Sequence, residues 1–194
     1  MEMKEINTES RIEPLLTVAD LDAFPDHDGN RYELIEGRLF VSAAPGISHQ
    51  RILQDLQMEL ASYLKTNQIG IQVPGAGAIF SDYGAVIPDL AFVCNERWDQ
   101  VVTGEKFTGA LDLVIEILSP GTQNRKRDLS AKRHLYEKVG VKEYWIVDSE
   151  NRAVLVLRLR GNAFEEIATL AGDAEITSPL LPGFHLKASA IFVT

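Results

Sequence analysis

The sequence predicts a mixed α/β (α+β) domain. Three observations predict it: one long amphipathic helix, three apolar strand-length runs behind it, and a second helix leading into another apolar strand. The long helix is residues 48–65. Ile52, Leu56, Leu60 and Leu64 recur every four residues, and Leu53 and Met58 widen the stripe. Ser48 reads as its N-cap, and residues 67–70 as its stop.

The strand-like runs are residues 71–80, Gly-rich and broken by Pro74, residues 85–93, interrupted at Pro88–Asp89, and residues 111–118, almost wholly apolar. A polar loop with Trp98 and Gly104 separates the last two. Residues 121–127 form a polar connection, 128–139 a helix ended by Gly140, 143–148 a strand, and 153–159 a strand returning after a turn at Asn151. Shorter strands are expected at 164–170 and 184–186. Ahead of the long helix, 17–24 reads as a short helix with Thr17 as N-cap and Asp20 at N3. Residues 32–41 read as a strand or hairpin around Gly37. Residues 1–14 are expected to be a flexible polar lead, and 15–194 one domain, a size that buries a core without staples.

Composition narrows the function classes. The chain has 194 residues, 45% hydrophobic and 24% charged, with a net charge of −9. That charge argues against indiscriminate nucleic-acid binding and leaves room for a local basic patch. A single cysteine, Cys94, excludes an internal disulfide and a Cys-rich zinc site, and is expected at the core boundary. No apolar leader and no membrane-length apolar run is present, so a cytoplasmic location is expected. Gly75 and Gly77 lack the third glycine of a dinucleotide fingerprint. Walker A, GxSxG and zinc-type histidine spacings are missing. Tyr144 and Trp145, inside an apolar strand, are expected in the core.

The informative residues are acids on strands that should be buried. Along 111–118 the alternation puts Leu111, Leu113, Ile115 and Ile117 on one face and Asp112, Val114, Glu116 and Leu118 on the other. Glu116 therefore lies mid-strand among aliphatics, where a carboxylate is costly unless paired, protonated or metal-bound. Asp89 poses the same problem, and Pro88 before it predicts a bulge or an edge. On adjacent strands the two carboxylates converge. With a backbone carbonyl they form a hard-oxygen site suited to Mg²⁺ or Mn²⁺. The alternative is that each is merely salt-bridged.

The segment 125–138 carries Arg125, Lys126, Arg127, Lys132, Arg133 and Lys138 against Asp128 and Glu137. On a helix Asp128, Lys132 and Tyr136 share a face. Two readings stand: a solvated face with an Asp128–Lys132 pair, or Lys132 aimed at Glu116 with Arg125, Lys126, Arg127 and Arg133 on nucleic-acid phosphate.

The strings YELIEG, SHQRI, IPDLAFV, LVIEILSP, the Asp128, Lys132, Tyr136 spacing and GVKEYWIVD occur in that order. Over residues 15–160 this pattern resembles the Uma2 family, itself similar to PD-(D/E)XK nucleases with a restriction-endonuclease-like core. The resemblance makes Asp89 the motif aspartate and Glu116 the second acid. Leu118 stands where the motif has lysine, and the resemblance gives that role to Lys132. It implies metal-dependent endonucleolytic hydrolysis of DNA. Asp89, Glu116 and the Ile117 carbonyl would ligate Mg²⁺ or Mn²⁺, and Lys132 would act on the attacking water or the transition state. Glu33 and His49 lie in the matched strings as supporting candidates, with Asp128 and Tyr136. Alternation lets only one of Glu33 and Glu36 face inward, and Glu33 is favoured. The other reading is a catalytically inactive relative that keeps the fold as a nucleic-acid-binding or assembly module. A homodimer fits either reading.

Overall fold

The computed structural model describes residues 14–25, 28–118 and 127–192, with side chains from residue 130 onward in the last segment. A 3₁₀ turn, Val18–Ala23, opens the described chain. Asp20 and Thr17 close a capping box over it, as the Thr-x-x-Asp spacing predicts.

Strands β1 (Asn30–Ile35) and β2 (Arg38–Ala43) form an antiparallel hairpin. Its two turn residues, Glu36 and Gly37, have φ of 50° and 75°. Two positive φ values in a row match the strand twist, and Gly37 adopts its value without a Cβ clash. Glu36 is thus spent on the turn, half-exposed, while Glu33 points inward.

Helix α1 (Ile47–Asn67) buries His49, Ile52, Leu53, Leu56, Leu60 and Leu64 along one stripe. Each large aliphatic so buried stabilises the fold by ~2 kcal/mol. The helix starts one residue before the expected Ser48. Gly46 is the N-cap, in extended conformation, so Ser48 lies inside the first turn.

The remaining strands are β3 (Gly70–Pro74), β4 (Ala78–Ser81), β5 (Gly84–Val86) and β6 (Leu90–Cys94). The loop around Trp98 holds a short helix, α2 (Trp98–Val101), and a small hairpin, β7 (Val102–Thr103) with β8 (Lys106–Phe107). Next come β9 (Leu113–Ile117), β10 (Glu143–Asp148), β11 (Ala153–Arg160), β12 (Ala163–Ala171), β13 (Glu175–Ser178) and β14 (Leu181–Lys187).

Two six-stranded sheets result. One has the order β2-β1-β5-β4-β8-β7 and the other β12-β11-β10-β9-β6-β3, while β13 and β14 pair separately. The second sheet is mixed. Strands β9 and β10 are parallel, joined by a crossover, and the neighbouring pairs are antiparallel. α1 and the C-terminal segment cover one of its faces through Leu56, Leu60, Trp145 and Phe184. On the other face Val114, Leu118, Tyr136 and Tyr144 share a core with residues of the first sheet. The expected α+β architecture is what forms.

Three expectations change. Residues 71–80 and 85–93 each read as one interrupted strand. Each instead divides between the two sheets: β3 and β6 belong to the large mixed sheet, β4 and β5 to the hairpin sheet. Pro88–Asp89 is therefore no bulge within a strand but the point where the chain changes sheets. Proline cannot donate to a ladder, and it interrupts the pairing there. The crossover also differs from a single α-helix over 128–139. It begins as a π-helical turn, Arg127–Lys132, and continues as α3 (Arg133–Val139), ended by Gly140 at φ 86°.

β3 meets β6 closely at Gly70. A Cβ there would meet the Val93 carbonyl oxygen and lie 2.5 Å from the Phe92 ring. Gly70→Ala should therefore cost ~1–3 kcal/mol, the range for an overpacked site. Urea unfolding checks it, and an unchanged midpoint would show that the edge strand gives way freely.

Candidate metal-binding active site

The sheet change places the candidate acids. The β6–β9 register pairs Leu90 with Ile115 and Ala91 with Val114, so one further step brings Asp89 alongside Glu116. The Ile117 amide donates to Asp89 Oδ2 at 2.9 Å, which fixes the aspartate on the end of β9. Two further donors hold it. His49 Nε2, from the first turns of α1, lies 3.0 Å from Oδ2, and Arg31 Nη1, from β1, lies 3.1 Å from Oδ1. Arg31 Nη1 also donates to the Ile87 carbonyl at 3.3 Å.

Burial raises the Asp89 pKa, but the His49 contact and charge, the Lys132 charge and the Ile117 amide outweigh it and hold it at about 2. A folded value below the unfolded value of ~3.9 means stability gained above that unfolded value. That contribution, on the order of 2 kcal/mol, should drain away as pH falls from about 4 to about 2. Asp89→Asn should flatten this part of the stability-versus-pH curve in urea titrations. An identical curve for both proteins would refute the assignment.

The second knot centres on Lys132. Its Nζ lies 2.8 Å from Glu116 Oε1 and 2.9 Å from Glu33 Oε1, and all three side chains are at most 3% exposed. Tyr136, one helical turn on, donates its hydroxyl to the same Glu116 oxygen at 2.7 Å. Burial, with the Glu116 and Tyr144 neighbours, pushes the Tyr136 pKa well above that of a free phenol. Tyr136 therefore remains a proton donor at neutral pH. Glu33 Oε1 also accepts the Ile87 amide at 2.9 Å, which ties the lysine to the backbone just before Pro88.

Of the residues singled out in the sequence, Asp89, Glu116, Lys132, Glu33, His49 and Tyr136 are brought together. Arg133 is engaged elsewhere. Its Nη2 donates to the Phe164 carbonyl at 2.8 Å and its Nε faces Glu137 at 3.3 Å. Arg125, Lys126 and the side chains of Arg127 and Asp128 lie outside the described residues. Arg31 was missed by sequence reasoning. The available signal was its i, i+2 spacing to Glu33, which puts both on one face of β1.

Comparison with known proteins rests on this geometry. The family model Uma2, described as "Putative restriction endonuclease", matches residues 18–189. The chain belongs to the Uma2 family. A crystal structure from Anabaena variabilis ATCC 29413, described as that of "a putative nuclease belonging to DUF820", shares its fold. The TM-score is 0.75 at 22% identity, covering 91% of this chain and 97% of the other. No curated protein matches. The IPDLAFV and LVIEILSP strings of this Uma2 chain thus correspond to the sheet change and to β9.

The other buried acids of this Uma2 protein are structural. Asp112 is held by Arg97 and Lys142, each at 2.6 Å, and by the Cys94 amide. Glu143 accepts from Trp145 Nε1 and Arg158 Nε. Burial pushes the Cys94 thiol up, with nearby Asp112 adding to it, so it is a poor nucleophile. Tyr144 and Trp145 are fully buried on opposite faces of the mixed sheet. No helix among the described residues is long and apolar enough to cross a membrane.

Proposed function

We propose that this Uma2 protein is a metal-dependent endonuclease that hydrolyses DNA phosphodiester bonds. The observation that carries the reading is the meeting of Asp89 and Glu116 on paired strands with a lysine supplied from the following helix. Family membership and the described nuclease neighbour support it.

Among the described residues no three His, Cys, Asp or Glu side chains form a complete cage. Mg²⁺ seldom needs one. It is commonly bound by one or two carboxylates, with water and substrate phosphate filling the other positions. Asp89 and Glu116 are such a pair, and the donor chemistry fits Mg²⁺ or Mn²⁺. Asp89, Glu116 and the Ile117 carbonyl would hold it. When bound, the ion would lower the pKa of water and offset charge on the phosphate.

The chain's own residues do the rest. His49 and the Ile117 amide fix Asp89 in one rotamer and hold it ionised, so no proton has to leave before a cation binds. Glu33 and Tyr136 hold the Lys132 ammonium and the Glu116 carboxylate against each other. That leaves the lysine beside the place where negative charge develops, where a prealigned cation needs no reorganisation. Hydrophobic neighbours on both faces of β9 keep bulk water away. A two-fold dimer would present two such sites to the two strands of a duplex.

The test is incubation of supercoiled plasmid and of single-stranded DNA with purified protein in Mg²⁺, in Mn²⁺ and in EDTA. Nicking or linearisation with either metal, and none in EDTA, is the expected result. Folded protein that cuts neither substrate and gives no calorimetric signal with either metal would instead support the inactive binding or assembly module.

A further inference from the structure

We infer that Arg31 is a group that grips the phosphodiester backbone at this site, an inference that rests on the nuclease reading. A phosphodiester arrives from solvent as an anion and needs a cation it can touch. Lys132 cannot be that cation as it stands: it is 1% exposed and held between Glu33 and Glu116. His49 is also buried and turned toward Asp89. Arg31 is 26% exposed while still reaching Asp89.

Its contacts use one nitrogen. Nη1 meets both Asp89 Oδ1 and the Ile87 carbonyl. Among the described residues Nε and Nη2 have no protein partner. A guanidinium carries five N–H groups in a planar fork that matches phosphate oxygens two at a time. Asp89 and the Ile87 carbonyl therefore hold one side of the fork and set its plane, while the other N–H groups remain for a ligand. The chain carries a net charge of −9, so a local cation is needed to draw a polyanion to this point. Arg31 meets that need and touches the carboxylate proposed to hold the metal.

The competing role is that Arg31 merely positions Asp89. Salt dependence separates the two roles. A fluorescein-labelled DNA duplex is titrated by anisotropy in EDTA, over a range of salt concentrations, with wild type and Arg31→Gln. Glutamine removes the charge and, being shorter, also the Nη1 reach to Asp89, so the salt slope reads the phosphate contact and the Mg²⁺ titration reads the effect on Asp89. The expected result is roughly tenfold weaker binding and a log K against log salt slope shallower by about 0.9, the loss of one phosphate contact.

An unchanged slope, with weaker Mg²⁺ binding by calorimetry, would make Arg31 a positioning residue and overturn the inference. If Arg31→Gln fails to fold, the same comparison is made between Asp89→Asn and Arg31→Gln/Asp89→Asn. That background strands no buried carboxylate. A wild type that cleaves DNA while both Arg31 variants bind it unchanged sinks this inference and leaves the nuclease reading intact. A wild type that neither binds nor cleaves sinks both.

Discussion

Replacing Lys132 with methionine is expected to lower the free energy of unfolding by about 3–5 kcal/mol. The ammonium is buried and lies within 2.9 Å of both Glu33 and Glu116. Methionine fills the same volume but strands two carboxylates in a low-dielectric core. Removing one partner of a buried ionic group costs far more than the intact group contributes, because the remaining charge keeps its desolvation penalty. Lys132→Met/Glu116→Gln should recover part of the loss, since one stranded charge is gone. Urea unfolding of the three proteins measures it. A loss below about 1 kcal/mol in the single variant would mean the carboxylates find water or another cation.

The second large effect is on catalysis. Glu116→Gln keeps the shape of the side chain and one oxygen for Tyr136 and Lys132. It removes the negative charge that would bind the metal. Cleavage of plasmid DNA should fall by roughly 10³-fold, equivalent to ~4 kcal/mol of transition-state stabilisation at about 1.36 kcal/mol per tenfold. Lys132 keeps its Glu33 contact, so the fold should lose much less than in Lys132→Met. Thermal unfolding and cleavage measured on one preparation test both halves. Full activity in a folded Glu116→Gln protein would remove Glu116 from the metal site.

The parts of the fold and site legible from sequence are those that local pattern encodes. The four-residue recurrence of Ile52, Leu56, Leu60 and Leu64 is a property of one helix, and it located α1. Alternation along 111–118 put Glu116 on the face opposite Ile115 and Ile117, and within β9 the two faces do belong to different cores; Leu111, expected with Leu113, lies ahead of the strand and joins the Val114 and Leu118 core instead. The i, i+4 spacing put Lys132 and Tyr136 on one face, and in the structure both reach the same Glu116 oxygen.

Partition between sheets was not legible. Residues 85–93 are apolar on either side of Pro88–Asp89 whether they lie in one sheet or two, and Pro88 signals an interruption without specifying which sheet the chain joins next. Arg31 went unnoticed for a related reason. In a polar stretch at a strand start it resembles a solvent-facing charge, and only the tertiary approach of residues 87–89 gives it a partner. The π-helical turn at Arg127–Lys132 carries no pattern distinct from an α-helix start.

The change of sheet at Pro88–Asp89 also governs when the site can come into being during synthesis. Glu33, Asp89, Glu116 and Lys132 lie on four separate segments, and no two of them are sequence neighbours. A growing chain that has emerged only through β9 has both acids of the proposed metal pair but lacks the lysine. It also lacks β10, the strand that pairs with β9 on the side away from β6. Contacts so distant in sequence form late, after the loops between them close. The cluster is therefore complete only when Lys132 has been made and the hairpin sheet and the mixed sheet have docked. A polypeptide that has emerged only through β9 carries parts of the proposed site without the site itself.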